Sequence, residues 1–102
     1  MTVNVETRND ANQFCIIIRG SFDFSLHAEF REAMEAAKKT AAPKYCVDLG
    51  AVEDLDSSAL GMLLLLREAT GGERAKVTLI NCRPEIREIL EMANFQQMFN
   101  IT

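Results

Sequence analysis

The segment from Lys44 to Asn81 leaves this chain few folds to choose from. It opens on "KYCVDL", a short and nearly continuous apolar run of the kind a buried central strand needs. Ser57 to Thr70 then repeats apolar residues at helical spacing and stops at Gly71-Gly72. "AKVTLIN" (Ala75 to Asn81) returns to β-branched residues and reads as a strand. Strand, helix and strand in one stretch imply two parallel strands. A tight turn cannot join such a pair, so the connection is a right-handed crossover.

The flanking segments extend this unit. "NQFCIIIRG" (Asn12 to Gly20) is β-rich and reads as a strand that breaks at Gly20. "TVNVET" before it alternates weakly and "RNDAN" is turn-like, which predicts a hairpin. From Ser25 to Lys39 the period becomes helical, with Leu26, Phe30, Ala33 and Ala37 on one face and Met34 beside them. Asp23 or Ser25 can cap this helix, Lys38 and Lys39 suit its carboxyl end, and Pro43 closes it. Pro84 opens a third helix to about Met92, with Ile86, Ile89, Leu90 and Ala93 on one face and Asn94 as a left-handed stop. "FQQMFNI" reads as a short helical or irregular cover whose Phe95, Phe99 and Ile101 pack down. The order is β-β-α-β-α-β-α in one α/β domain over residues 1–102. "GAVEDLDSS" falls in the loop beyond the third strand, at the carboxyl edge where such sheets keep their functional loops.

Composition narrows the function classes. With 102 residues, 48% of them hydrophobic and 25% charged, the chain can build one modest core. A net charge of −4 and the lack of a basic stripe argue against nucleic acid. The amino-terminal residues resemble no signal peptide, and the apolar run from Ala59 to Leu66 is too short for membrane insertion. Cys15, Cys46 and Cys82 are widely spaced, none is in a C-x-x-C pair, and each lies in or beside an apolar run. They read as small buried thiols in a reducing compartment, which points to the cytoplasm. One His and no paired cysteines give no zinc set, and no P-loop or G-x-G-x-x-G indicates a nucleotide cofactor. G-x-S-x-G is missing too. His27 has no sequence reason to reach Ser57 and reads as a solvated helix-face residue, so no catalytic group is expected.

The motif that stands out is "DLDSSALG", Asp54 to Gly61. On a helical wheel Ala59, Met62, Leu63, Leu66 and Thr70 group on one side, enough to face the sheet. Ser57, Gly61, Leu64 and Glu68 form the opposite stripe, flanked by Leu60 and Leu65. Small and apolar residues on an exposed helix face fit a partner surface. The alternative is that Leu64 packs under a neighbouring loop. Ser57 sits in the first turn or caps it, where the helix end favours an anion. A phosphate there would add roughly −1.5 to −2 charges to a surface already carrying Asp48, Glu53, Asp54 and Asp56. A plain helix cap is the competing reading of the same residues.

"YCVDLGAVEDLDSSALGMLLLLRE", the Gly-Gly turn, "KVTLINCRPEIREIL" and "FQQMF" together resemble a STAS domain of the anti-sigma factor antagonist type. The resemblance reaches back through "FCIIIRGSFDF" and covers nearly the whole chain. It implies a mixed four- to five-stranded sheet packed by three to four helices. It also implies that Ser57 is a phospho-acceptor. The kinase would be a partner anti-sigma factor or serine kinase of the GHKL type, and a PP2C-type phosphatase would restore the serine. Ser58 becomes a cap or packing group, and Asp23 matches an acidic residue near the family's partner surface. The expected partner face comprises Asp23, Asp56, Ser57, Ser58, Gly61, Leu64, Leu65 and Glu68. Two departures stand out. Ala59 replaces the usual motif Gly, which could alter a kinase's approach, and Arg83 stands where a capping Ser is common.

Overall fold

In the computed structural model, which describes residues 4–10, 12–40 and 42–102, two parallel strands dominate the domain. These are β2 (Gln13–Phe22) and β3 (Lys44–Leu55). They pair from Gln13↔Lys44 to Phe22↔Leu55. β1 (Val5–Asp10) adds antiparallel to β2, and β4 (Val77–Ile80) adds parallel to β3. β5 (Asn100–Ile101) closes the far edge, so the sheet order is β1-β2-β3-β4-β5. The helices are α1 (His27–Thr40), α2 (Ser57–Ala69) and α3 (Pro84–Met92). A short 3-10 turn, Phe24–Leu26, leads into α1, and another, Phe95–Gln97, follows α3.

One hydrophobic cluster holds the domain together. Alternate strand residues enter it, among them Phe14, Ile16 and Ile18 of β2, Tyr45, Val47 and Leu49 of β3, and Val77 and Leu79 of β4. The buried residues of all three helices enter the same cluster: Phe30, Ala33 and Ala37; Ala59, Met62, Leu63 and Leu66; Ile86 and Leu90. All the helices therefore pack on one face of the sheet. Phe95 and Phe99 stack at 5.2 Å and cap the cluster beyond α3, while Ile101 lies half-buried in β5. Asn94 takes the left-handed conformation (φ 61°) that stops α3.

Several boundaries differ from the sequence reading, each for a physical reason. Arg8–Asp10 are strand rather than turn, because they find partners in Cys15, Phe14 and Gln13. The expected start of that strand, Thr2 and Val3, lies outside the described residues. Gly20 does not end β2; it sits inside it at φ 79° and pairs with Val52. The "GAVED" loop is strand as well. Between Ile17↔Asp48 and Arg19↔Ala51, and again between Gly20↔Val52 and Ser21↔Asp54, β3 carries one residue more than β2. These bulges space the buried residues Val52 and Leu55 three apart instead of two, which hides the strand from a period-two pattern. β4 is shorter than its apolar run, and Asn100–Ile101 form strand β5 rather than irregular cover, because they pair with Thr78 and Leu79.

The cysteines are also a correction. They are not three separate thiols: Cys15 and Cys46 form a disulfide, and Cys82 is free. The two are direct register partners on β2 and β3, brought together across 31 residues of sequence. Spacing along the chain carries no trace of that pairing.

Candidate functional site

The parallel strands β2 and β3 end side by side, and each is followed by an aspartate that starts a helical turn. After β2, the Asp23 carboxylate accepts the Ser25 backbone N–H at 2.9 Å and the Ser25 hydroxyl at 2.5 Å. Those two hydrogen bonds, the hydroxyl's first, favour the ionised form and hold its pKa below the usual aspartate value. After β3, the Asp56 carboxylate accepts the Ala59 N–H at 3.1 Å and caps α2. The Asp56 backbone N–H donates to the Phe22 carbonyl at 3.4 Å, which ties the start of α2 to the end of β2. Phe22, Asp23, Asp54, Leu55 and Asp56 line a small hollow of about 90 Å³ at this junction.

The cap fixes where the two serines stand in the helix. With Asp56 as the capping residue, Ser57 is the first helical residue and is exposed. Ser58 is half-buried, and Ala59 is fully buried in the core. The Ala in the motif therefore faces the sheet, not a visitor at the surface, and its methyl fills core space. The helix serves its own stability through Asp56, which leaves the Ser57 hydroxyl free of capping duty.

Along α2 the outward strip continues. Gly61 is exposed, and a Cβ built there meets nothing within 4 Å. Nothing among the described residues requires glycine at this position. Leu64 is half-buried and packs against the core, so the expected outer stripe is corrected at this residue. The leucine left to solvent is Leu65, 53% exposed. Glu68 is exposed at the end of the strip, 4.0 Å from Arg67.

One neighbour escaped the sequence reading, and two others differ from it. Phe24, in the turn after Asp23, is 67% exposed and stacks on His27 at 5.0 Å. His27 is thus half-covered by an aromatic ring rather than fully solvated. Together with Phe30, Arg31, Met34, Met62 and Leu65 it lines a cleft of about 160 Å³ between α1 and α2. The signal lay in "FDF": alternation would put Phe22 and Phe24 on one face, but β2 ends at Phe22 and the turn capped by Asp23 carries Phe24 out to solvent. Arg83 offers no side-chain cap to α3; its guanidinium instead donates to the Val52 carbonyl, bracing the bulged end of β3.

Chemically, the site presents a hydroxyl at a helix start, a bare backbone patch, two exposed apolar side chains and several carboxylates. No group of three or more His, Cys, Asp or Glu residues among the described ones could hold a metal ion. Among the described residues, no helix is long and apolar enough to cross a membrane.

A family model described as "Mlab, STAS domain" matches residues 5–100. The chain belongs to the STAS domain family. Consistent with this, a STAS-domain containing protein of Pseudomonas aeruginosa (strain UCBPP-PA14) is 47% identical over 102 residues, covering 100% of both chains. The fold of this STAS domain is that of solved anti-sigma factor antagonists. One from Thermotoga maritima, described as putative, superposes with a TM-score of 0.83 at 13% identity, covering 95% of this chain and 84% of that one. An antagonist from Mycobacterium paratuberculosis gives 0.80 at 21% identity, covering 95% and 82%. The Bacillus cell fate determinant SpoIIAA, solved in its phosphorylated form, gives 0.72 at 15% identity, covering 96% and 90%.

Proposed function

We propose that this STAS domain is a phosphorylation-switched binding module of the anti-sigma factor antagonist kind, working in the cytoplasm of a bacterium. Unphosphorylated, it holds an anti-sigma factor or a serine kinase of the GHKL type; phosphorylated on Ser57, it releases that partner. A PP2C-type phosphatase resets it. The domain acts in partner switching that regulates transcription and carries out no catalysis of its own. It needs no cofactor and engages neither nucleic acid nor the membrane interior.

One observation carries this reading. Ser57 is exposed at the first residue of α2, beside a strip whose Gly61 serves nothing inside the domain. A phosphate at Ser57 is tolerated by the helix start, while it adds charge and bulk next to Asp54 and Asp56. A partner that fits the bare strip then meets repulsion, which suffices for an off-switch. The partner face takes in Asp23, Asp56, Ser57, Gly61, Leu65 and Glu68, with Phe24 added and with Ser58 and Leu64 half-buried behind it.

The test is incubation with a cognate kinase and ATP. One phosphate should be added per chain, and Ser57→Ala should abolish labelling. An alanine variant labelled to the same extent ends the assignment. Membership of the STAS family also fits a second reading, a constitutive subunit of a lipid-transport or stress-sensing complex. A pull-down separates the two, since a constitutive subunit should bind equally well with Ser57→Asp.

A further inference from the structure

We propose that Cys15 and Cys46 form a redox-reversible centre on the open face of the sheet, cycling between the disulfide and a dithiol by exchange with an external dithiol. The pair is directly matched in register on adjacent parallel strands, with Cα atoms 4.6 Å apart. The flanking residues Phe14 and Ile16, and Tyr45 and Val47, all enter the core cluster. Side chains alternate along a strand, so both sulfurs lie on the opposite face. The buried residues of every described helix belong to that one cluster, which leaves the sulfurs' face without a helix over it among the described residues.

The two sulfurs are not equivalent. Cys15 is partly exposed, whereas Cys46 is 1% exposed. Arg8 is the direct antiparallel partner of Cys15, which places a cationic residue on the same face. The chemistry follows from this asymmetry. A thiolate of the incoming dithiol attacks Cys15 Sγ, the bond between the cysteines breaks, and its electron pair leaves on Cys46 Sγ, which takes a proton. The second thiol of the reagent then attacks its own first sulfur, freeing Cys15 as a thiol. The reagent departs as a disulfide, and two electrons and two protons have passed to the protein.

Cys82 is the internal control. It is half-buried, its Sγ lies 3.6 Å from the Leu79 carbonyl, and burial pushes its thiol pKa up. It stays protonated and outside the exchange. The crosslink is not needed to hold the sheet together, because β2 and β3 are paired from Gln13 to Phe22. It does close the chain across 31 residues spanning α1, so reduction restores freedom to the unfolded chain and lowers the unfolding midpoint while the fold persists.

The experiment uses the full chain purified without reductant. Samples are equilibrated in buffers of graded oxidised-to-reduced dithiothreitol, quenched in acid, unfolded and alkylated. Mass spectrometry should count one alkylated cysteine, Cys82, at the oxidising end and three at the reducing end. The transition should be single and two-electron, should reverse on return to the oxidising buffer, and should be accompanied by a lower melting midpoint. In Cys46→Ser the lone Cys15 should react readily with an aromatic disulfide reagent, and in Cys15→Ser the shielded Cys46 should react slowly. Three alkylated cysteines at every ratio, a crosslink to Cys82 in the peptide map, or a bond that resists the dithiol in the folded protein would overturn the proposal.

Discussion

The Asp56 carboxylate accepts the backbone N–H of Ala59 at 3.1 Å, so α2 is capped one residue before Ser57. This relationship separates stability from signalling in a motif where the two are easily confused. Asp56→Ala should destabilise the domain by about 1 kcal/mol, the usual cost of losing such a cap. Asp56→Asn, which keeps the acceptor, should cost less. Urea unfolding of the two variants beside the parent checks this.

Ser57→Asp should leave stability within about 0.5 kcal/mol of the parent, because the residue is exposed and outside the cap bond. Partner capture should nevertheless be lost. Unfolding curves and a pull-down on the same preparations decide it; a variant that binds normally argues against switching.

Gly61→Ala should stabilise the domain by up to about 1 kcal/mol, since alanine is the better helix former and a Cβ there meets nothing within 4 Å. The same methyl sits on the proposed partner face and should weaken binding. A variant that is more stable yet binds less well is the expected pairing of melting and affinity measurements.

Leu63 and Leu65 are two residues apart on α2 and should behave oppositely. Leu63 is 0% exposed, so Leu63→Ala should cost about 2–5 kcal/mol through lost burial and the cavity left behind. Leu65 is 53% exposed, so Leu65→Ala should cost little stability and reduce partner binding. Thermal melts and a binding assay on both variants distinguish the core leucine from the surface one.

Asp23 should titrate below the ordinary aspartate range, because the two Ser25 hydrogen bonds favour its carboxylate. A depressed folded-state value means that its stabilisation is present above the unfolded aspartate value. It is lost as pH falls through the lowered one. Carboxyl NMR titration of the parent and of Ser25→Ala should show the value rising when the hydroxyl is removed.

Much of this was legible in the sequence. The strand–helix–strand unit, the core faces of α1, α2 and α3, the Asp23 cap and the position of Ser57 at a helix start all follow from local pattern. Capping and helical periodicity depend on residues within a turn of each other, so one segment suffices to show them. The outer face of α2 was less legible. A wheel assigned Leu64 outward, yet it packs against the core and Leu65 is the exposed leucine, because neighbouring elements set how far burial wraps around a helix. Phe24 joined the candidate surface only when the end of β2 was placed beside α2.

By itself, then, the sequence determined the α/β order through α3, the core faces of the helices and the hydroxyl at the start of α2. Tertiary structure alone decided that Gly50–Leu55 is strand, that Asn100–Ile101 pairs with β4, and that Cys15 meets Cys46. Each of these depends on register between segments far apart in the chain. Register is set by which strand lies alongside, and by the bulges that shift it, and neither leaves a local signature.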